Sequence, residues 1–306
     1  MEAAPQDCPG LNTADSGKAA ACQGCPNQTL CAAGQPLPQS STATEVALKL
    51  AQVQHVILVL SGKGGVGKST IAAQLAFALS RDESANIGLL DIDICGPSQV
   101  QMMGVNGQEV HSSASGWSPV YSEARPNLGV MSIGFMLGSK NDAVIWRGPR
   151  KNGLIKQFLT DVDWGNLNYL VIDCPPGTSD EHLSIVEYLG QANLMGALIV
   201  TTPQEVALLD VRKEISFCRK TGVKVLGIVE NMSYFMCPHC QCQSTIFPAS
   251  TGGAAGLKAE MGVDLVARIP LDPQVAQASE AGVPVQAPYY DSLAAFIRTE
   301  ATRSQD

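Results

Sequence analysis

Gly62-Lys63-Gly64-Gly65-Val66-Gly67-Lys68-Ser69-Thr70 satisfies the pattern G-x-x-x-x-G-K-[ST], and its flanks matter as much as its letters. Before it, 56–60 is a continuous apolar run, as expected of a strand buried on both faces. After it, 69–80 sets Ile71, Leu75 and Leu79 on one side of a helix. Glycines between such elements let backbone N–H groups turn toward phosphate oxygens with no Cβ in the way. The following helix adds its positive N-terminal end. Lys68 is placed to reach the β and γ phosphates of a nucleotide such as ATP, and Ser69 to offer its hydroxyl to magnesium. The alternative, a glycine-rich turn with no ligand, leaves the flanking strand and helix unexplained.

Beyond the loop, the buried-strand signature returns at 87–90, 169–172, 197–200 and 224–229. Helices are expected at 151–162, 180–189, 206–221, 252–261 and 290–301, and Val46, Leu48, Leu50, Ala51 and Val53 suggest a short lead-in helix. Strands alternating with helices imply an α/β fold with a doubly wound, mainly parallel sheet covered on both faces. The region 104–145 is rich in Gly, Ser and Asn and yields no clear element.

Residues 1–44 read differently. They hold four of the ten cysteines and show no hydrophobic periodicity, so a flexible, cysteine-containing N-terminal extension is expected ahead of a P-loop domain at 45–306. Pro36, Pro38 and the Ser/Thr stretch 40–44 look like its linker.

Lys plus Arg number 20 against 28 Asp plus Glu, a formal charge of −8, which is a poor footprint for nucleic acid. Residues 1–10 lack the basic and apolar regions of a secretory signal. The apolar runs are strand-length, far short of a membrane span. The C-terminal helix, with Leu293 and Ile297 but few cations, suits core packing better than a membrane anchor. The expected setting is therefore cytoplasmic, where cysteines point to metal or redox chemistry before disulfides.

Asp173 ends the strand at 169–172, the position of an acid that holds magnesium through water. Asp91 and Asp93 follow the strand at 87–90, where a nucleotide-proximal switch would lie; such carboxylates also serve as helix caps or turn residues. Cys237-Pro238-His239-Cys240 supplies two thiolates where zinc and iron–sulfur sites need four ligands. Two copies across a two-fold axis would complete the set. A redox C-x2-C, a zinc knuckle using His239 or Cys242, and inert thiols remain open. Cys8-x13-Cys22-x2-Cys25-x5-Cys31 offers four thiols for an iron–sulfur cluster, with structural zinc as the alternative. Cys95, Cys174 and Cys218 read as small buried hydrophobes.

With Lys63 near its start, the loop resembles the deviant Walker A box of the family that includes nitrogenase iron protein, the MinD and ParA ATPases and the Mrp-type iron–sulfur carriers. The resemblance implies that Lys63 reaches a partner's nucleotide across a dimer, that Asp93 orients the attacking water and that Asn231 recognises adenine. The N-terminal cysteine spacing, Asp91-Ile92-Asp93-Ile94-Cys95-Gly96-Pro97-Ser98, Trp146-Arg147-Gly148-Pro149, 173–181 and Thr202-Pro203-Gln204-Glu205 are similar to one branch. That branch is the long-form cytosolic iron–sulfur cluster assembly ATPases of the Mrp/Nbp family. It implies ATP hydrolysis and transfer of clusters to cytosolic and nuclear apoproteins and targeting factors; nothing in the sequence resembles an efficient general base, so slow turnover is expected. It also implies two kinds of 4Fe–4S cluster, one in the tail and one shared at Cys237 and Cys240. The assembly would be a homodimer or a hetero-oligomer with a shorter paralogue. An ATP-gated electron-transfer protein is the rival reading. Cys242 departs from the bridging pair and leaves open which thiols bind the shared cluster.

Overall fold

The run from Val53 to Leu60 forms the central strand β1, and its side chains alternate between two buried layers. Val56, Leu58 and Leu60 face one layer, Ile57 and Val59 the other. A strand so placed must be covered by helices on both sides. The computed structural model describes residues 15–24, 28–32, 41–136, 148–240 and 242–304.

In chain order the described elements are α1 (Gln28–Ala32), α2 (Ser41–Lys49), β1 (Val53–Leu60), α3 (Lys68–Leu79), β2 (Ile87–Asp91), α4 (Gln99–Met102), β3 (His111–Ser113), β4 (Gly116–Ser118), β5 (Val120–Ser122) and β6 (Arg125–Ser132). There follow α5 (Gly148–Thr160), β7 (Leu167–Asp173), α6 (Asp180–Tyr188), β8 (Leu194–Thr201), α7 (Glu205–Thr221), β9 (Val225–Glu230), β10 (Phe235–Met236), β11 (Gln243–Ser244), α8 (Gly253–Met261), β12 (Leu265–Arg268), α9 (Pro273–Ala281) and α10 (Pro288–Arg303). The main sheet runs β12-β9-β8-β1-β7-β2-β6-β5. Every pairing in it is parallel except the edge pair β5–β6.

The sheet order reverses beside β1, which lies between β7 and β8. In an open parallel sheet such a reversal leaves a crevice beyond the strand C-termini, where ligands bind. The loop at 62–69 leaves β1 into this crevice, and Asp91 and Asp173 sit at the same level on β2 and β7. Helix α3 buries nearly every residue because it is clamped between the sheet and α10. Its apolar circumference follows from that burial. Leu293 and Ile297 of α10 are fully buried in this layer, so the C-terminal helix packs the core.

Three expectations shift. The lead-in helix spans Ser41–Lys49, not 46–53, because Val53 already belongs to β1. The stretch 41–44, read as linker, is therefore its first turn, with Ala43 and Val46 buried and Glu45 paired to Lys156 at 2.9 Å. The unplaced region supplies β6, which pairs along β2 and closes the site from that side. Its Arg125-Pro126-Asn127 opening hid the strand, whose buried part begins only at Leu128. Part of the region, 137–147, lies outside the described residues, as do Cys8, Cys25, Trp146 and Arg147.

Candidate nucleotide and thiol sites

The loop is built by backbone conformations that only glycine adopts freely. Gly65 and Gly67 have φ of 81° and 86°, in the left-handed region. At Gly62 an added Cβ would strike the backbone of Asp210 on α7, so close helix approach fixes that glycine independently. Gly67 is the N-cap of α3, which leaves the first helical N–H groups directed at the crevice.

Lys68 is buried, and its ammonium is ion-paired to Asp173 Oδ1, with Asp93 Oδ2 at 3.8 Å and Ser69 Oγ at 3.4 Å. Burial alone would lower its pKa; Asp173 first and then Asp93 overcome this and hold it above the ordinary lysine value. Gln99 Nε2 donates to Asp173 Oδ2 at 2.7 Å and to the Ser69 carbonyl at 3.0 Å. Thus Lys68, Ser69, Asp93 and Asp173, separated by as many as 105 residues, converge on one polar group. Gln99 escaped the sequence reading; its only signal was a position shortly after the Asp91–Asp93 pair.

The two switch aspartates differ. Asp93 is half-buried beside Lys68, and burial raises its pKa. Asp91 points inward. It accepts from the N–H groups of Asp93, Ser98 and Gln99 at 3.0–3.3 Å and from Ser132 Oγ at 3.1 Å. Its oxygens thus organise the turn into α4, the cap-and-turn role left open above. Burial, then Asp173, pushes it up to about 7.

Asn231 directly follows β9, and its amide donates to the Val66 carbonyl at 2.9 Å. A Cβ on Gly67 would run into that amide. Lys63 is exposed and makes no ion pair among the described residues. The segment after Asp173 returns to the loop, where the Gly177 N–H donates to the Ser61 carbonyl at 2.7 Å.

Cys237, Cys240 and Cys242 cluster on the β10–β11 hairpin, closed by Cys237 N–H to Cys242 carbonyl at 3.1 Å. Cys240 is exposed, and its pKa is lowered by the Cys242 backbone N–H and then by the Cys242 and Cys237 thiols. Close as they are, these thiols do not form a group of three arranged to hold a metal ion, and no other such group occurs among the described residues. Cys237 and Cys240 offer two sulfur donors of the kind soft metals and iron–sulfur species take, fewer than the four ligands such species need.

In the N-terminal segment, Gln28 Nε2 donates to the Gly17 carbonyl at 3.3 Å, and Gly17 lies against Ala32. This joins the turn carrying buried Cys22 to the helix carrying half-buried Cys31. Cys174 and Cys218 are buried, as expected. Cys95 is not: it is exposed beside Lys151, whose pKa it raises together with Glu181. The turn after Asp93 projects it outward, which overturns its reading as a core thiol.

Residues 52–303 match the ParA family model described as NUBPL iron-transfer P-loop NTPase. The chain belongs to this family. A nucleotide-binding protein of Archaeoglobus fulgidus, in complex with ADP, is 36% identical to this chain. The match covers 82% of this chain and 96% of that one, with a TM-score of 0.69. The cell division ATPase MinD of Pyrococcus furiosus is 23% identical, covering 81% and 99%, with a TM-score of 0.55. The septum site-determining protein MinD of Pyrococcus horikoshii, complexed with Mg-ADP, is 22% identical, covering 82% and 96%, at 0.54. These last two show the shared fold alone. No helix among the described residues of this P-loop NTPase is long and apolar enough to cross a membrane.

Proposed function

We propose that this protein is an ATP-dependent scaffold that assembles 4Fe–4S clusters and passes them to apoproteins of the cytoplasm and nucleus. It would act as a homodimer or with a shorter paralogous ATPase. One observation carries the reading: the phosphate loop and the thiol hairpin are tied by a single anchored segment. Asn231 bonds the loop at Val66, and Met232 follows at φ 54° in the left-handed region. The Ser233 N–H bonds the Ile269 carbonyl at 3.0 Å, and the Tyr234 carbonyl accepts from Leu271 N–H at 2.7 Å. Phe235 then opens the hairpin that carries Cys237. Such a segment has few free torsions, so a shift at Val66 moves the thiols.

In this mechanism Lys68 and the loop N–H groups hold the phosphates, and Asp93 orients the attacking water. The ADP complex of the Archaeoglobus relative supports the nucleotide. Hard oxygen donors, Ser69 hydroxyl and Asp173 carboxylate, suit magnesium, which would neutralise phosphate charge there. Lys63, exposed at the loop entrance, would reach a second protomer's phosphates. Asn231 Oδ1 is the atom left to accept from an adenine amino group. The clusters at Cys237 and Cys240 are cargo, and Cys22 and Cys31 would help hold a resident cluster in the N-terminal segment with Cys8 and Cys25. Turnover is expected to be slow, as the sequence reading anticipates.

Anaerobic reconstitution with iron and sulfide tests the reading, with iron counted and Mössbauer spectra recorded. Wild type is compared with Cys237→Ala/Cys240→Ala and with a tail-cysteine variant. Two separable 4Fe–4S populations, one lost in each variant, support the scaffold. Stoichiometric zinc without cluster uptake removes it. ATP-driven movement of electrons, rather than of intact clusters, to an acceptor would instead establish a gated electron-transfer protein.

A further inference from the structure

Helices α6 and α7 face each other through two buried groups that the mechanism above does not use. Glu214 on α7 is fully buried, and neither carboxylate oxygen has a hydrogen-bond partner among the described residues. Opposite it, in the first turn of α6, His182 is 1% exposed; its Nε2 is also unpartnered and lies 3.9 Å from Glu214 Oε1. The other ring nitrogen fixes the tautomer. The backbone N–H of Ser179 donates to His182 Nδ1 at 3.2 Å, so the neutral ring carries its proton on Nε2. A buried donor thus faces a buried acceptor at a separation too long for a hydrogen bond. Each left unmade costs desolvation.

Their place in the fold gives the pair a consequence. Helix α6 directly follows the segment from Asp173 to Ser179, which also bonds the loop through Gly177 and Ser61. Helix α7 rests on the first glycine of the loop through Asp210, one turn before Glu214 and on the same face. The two helices are therefore the levers of the two segments that would touch a nucleotide.

We infer that His182 and Glu214 form a nucleotide-sensitive latch. Displacement of the 173–179 segment by a bound nucleotide brings His182 Nε2–H onto the Glu214 carboxylate and draws α6 against α7. His182 is then a positioning residue for the loop that carries Asp173. The inference rests on the nucleotide-binding reading above.

Closing the latch moves a proton. Burial pulls His182 down to about 4 and pushes Glu214 up to about 7, so near neutrality the ring is neutral and the carboxyl is divided between its two forms. Glu181 from α6, Lys68 and the Pro175 carbonyl act on His182, and Glu214 in turn raises the thiols of Cys174, from the end of β7, and Cys218, from α7. None of them gives Glu214 a cation or a donor. A hydrogen bond from Nε2–H favours the ionised carboxylate, so closure expels the Glu214 proton to solvent. The closed state binds fewer protons and gains on the open one as pH rises through about 7.

Isothermal titration calorimetry tests this near neutral pH, with a non-hydrolysable imido analogue of ATP, magnesium and buffers of different ionisation enthalpy. Wild type is compared with Glu214→Gln, which keeps the shape and an acceptor oxygen but has no proton to lose. Wild type is expected to release about half a proton more on binding than the variant. In wild type labelled with ¹⁵N-histidine, the His182 Nε2-bound proton should also move downfield when the analogue binds. Equal proton release, or an unmoved His182 signal, overturns the latch while leaving the nucleotide site in place. Absence of any binding by wild type overturns the nucleotide reading and the latch with it.

Discussion

Lys68 and Asp173 form a buried ion pair, with the lysine 6% exposed and the aspartate fully enclosed. Gln99 holds the second oxygen of the carboxylate at 2.7 Å. The lysine expected at phosphates and the acid expected at magnesium are thus held in contact at the mouth of one crevice. Removing one partner would leave the other charge buried and uncompensated, which costs about 3–5 kcal/mol. Lys68→Ala should therefore lower the melting temperature as well as abolish nucleotide binding. Calorimetric melting and titration with a fluorescent nucleotide would check both; a variant that melts like wild type would show that the pair contributes little.

Gly67→Ala should be more damaging than its size suggests. The residue sits at φ 86°, and its new methyl group would collide with the Asn231 amide. Asn231→Ala tests the same contact from the other side by removing the bond to Val66 and should weaken nucleotide binding about tenfold, equivalent to about 1.4 kcal/mol. Equilibrium titration of both variants decides whether the asparagine shapes the loop.

Lys63→Gln should leave folding and first-protomer binding intact, because the side chain is exposed and unpaired among the described residues. Loss is expected only where two protomers meet. Sedimentation with and without ATP, beside steady-state hydrolysis, would reveal it as weaker association and slower turnover. Unchanged hydrolysis would argue that the lysine never crosses to a partner.

Thiol reactivity should separate the cysteines by environment. Cys240 is exposed and its thiolate is favoured by the Cys242 N–H and the neighbouring thiols, so alkylation at neutral pH should strike it early. Cys174 and Cys218 are enclosed, and burial raises the latter to about 12, so both should stay unmodified until the chain unfolds. Peptide mass spectrometry over a time course of iodoacetamide treatment gives the order directly.

Stability should fall as pH rises from weakly acidic to neutral. Asp91 and Glu214 are both held near 7 in the folded chain, above their values of 3.8 and 4.5 in the open. Below the lower values both are neutral folded or unfolded. Between those values and about 7 only the unfolded chain ionises, so stability is lost across that window and the loss is complete above it. Glu214→Gln should recover about 1–3 kcal/mol at mildly alkaline pH and little at acidic pH. Melting curves across the range would show the difference narrowing toward acid.

Much of the candidate site was legible because its parts are local. The glycines, Lys68 and Ser69 lie in one turn, and Asp173 was found as the acid at the end of a buried strand. Asp91 was found by the same rule, yet its inward course could not be seen, because that depends on Ser132 from β6 in a stretch with no readable period. Cys95 was misjudged for a related reason. Its neighbours Ile92 and Ile94 are buried, and the turn that throws the thiol outward is shaped by hydrogen bonds to Asp91 rather than by hydrophobic pattern. Helix α4, only four residues long, is too short for periodicity to register.

What the sequence determined alone was local chemistry and layering: a loop whose glycines allow left-handed backbone, apolar runs that must be buried on both faces, and thiols at fixed spacings. These follow from sterics and solvation acting over a few residues. Which distant groups meet was decided only by strand order. Placing β1 between β7 and β8 sets Lys68 against Asp173, brings Asn231 under the phosphate loop and leaves His182 facing Glu214. Those encounters depend on parallel register and helix packing across the whole sheet, and no short window of the chain contains them.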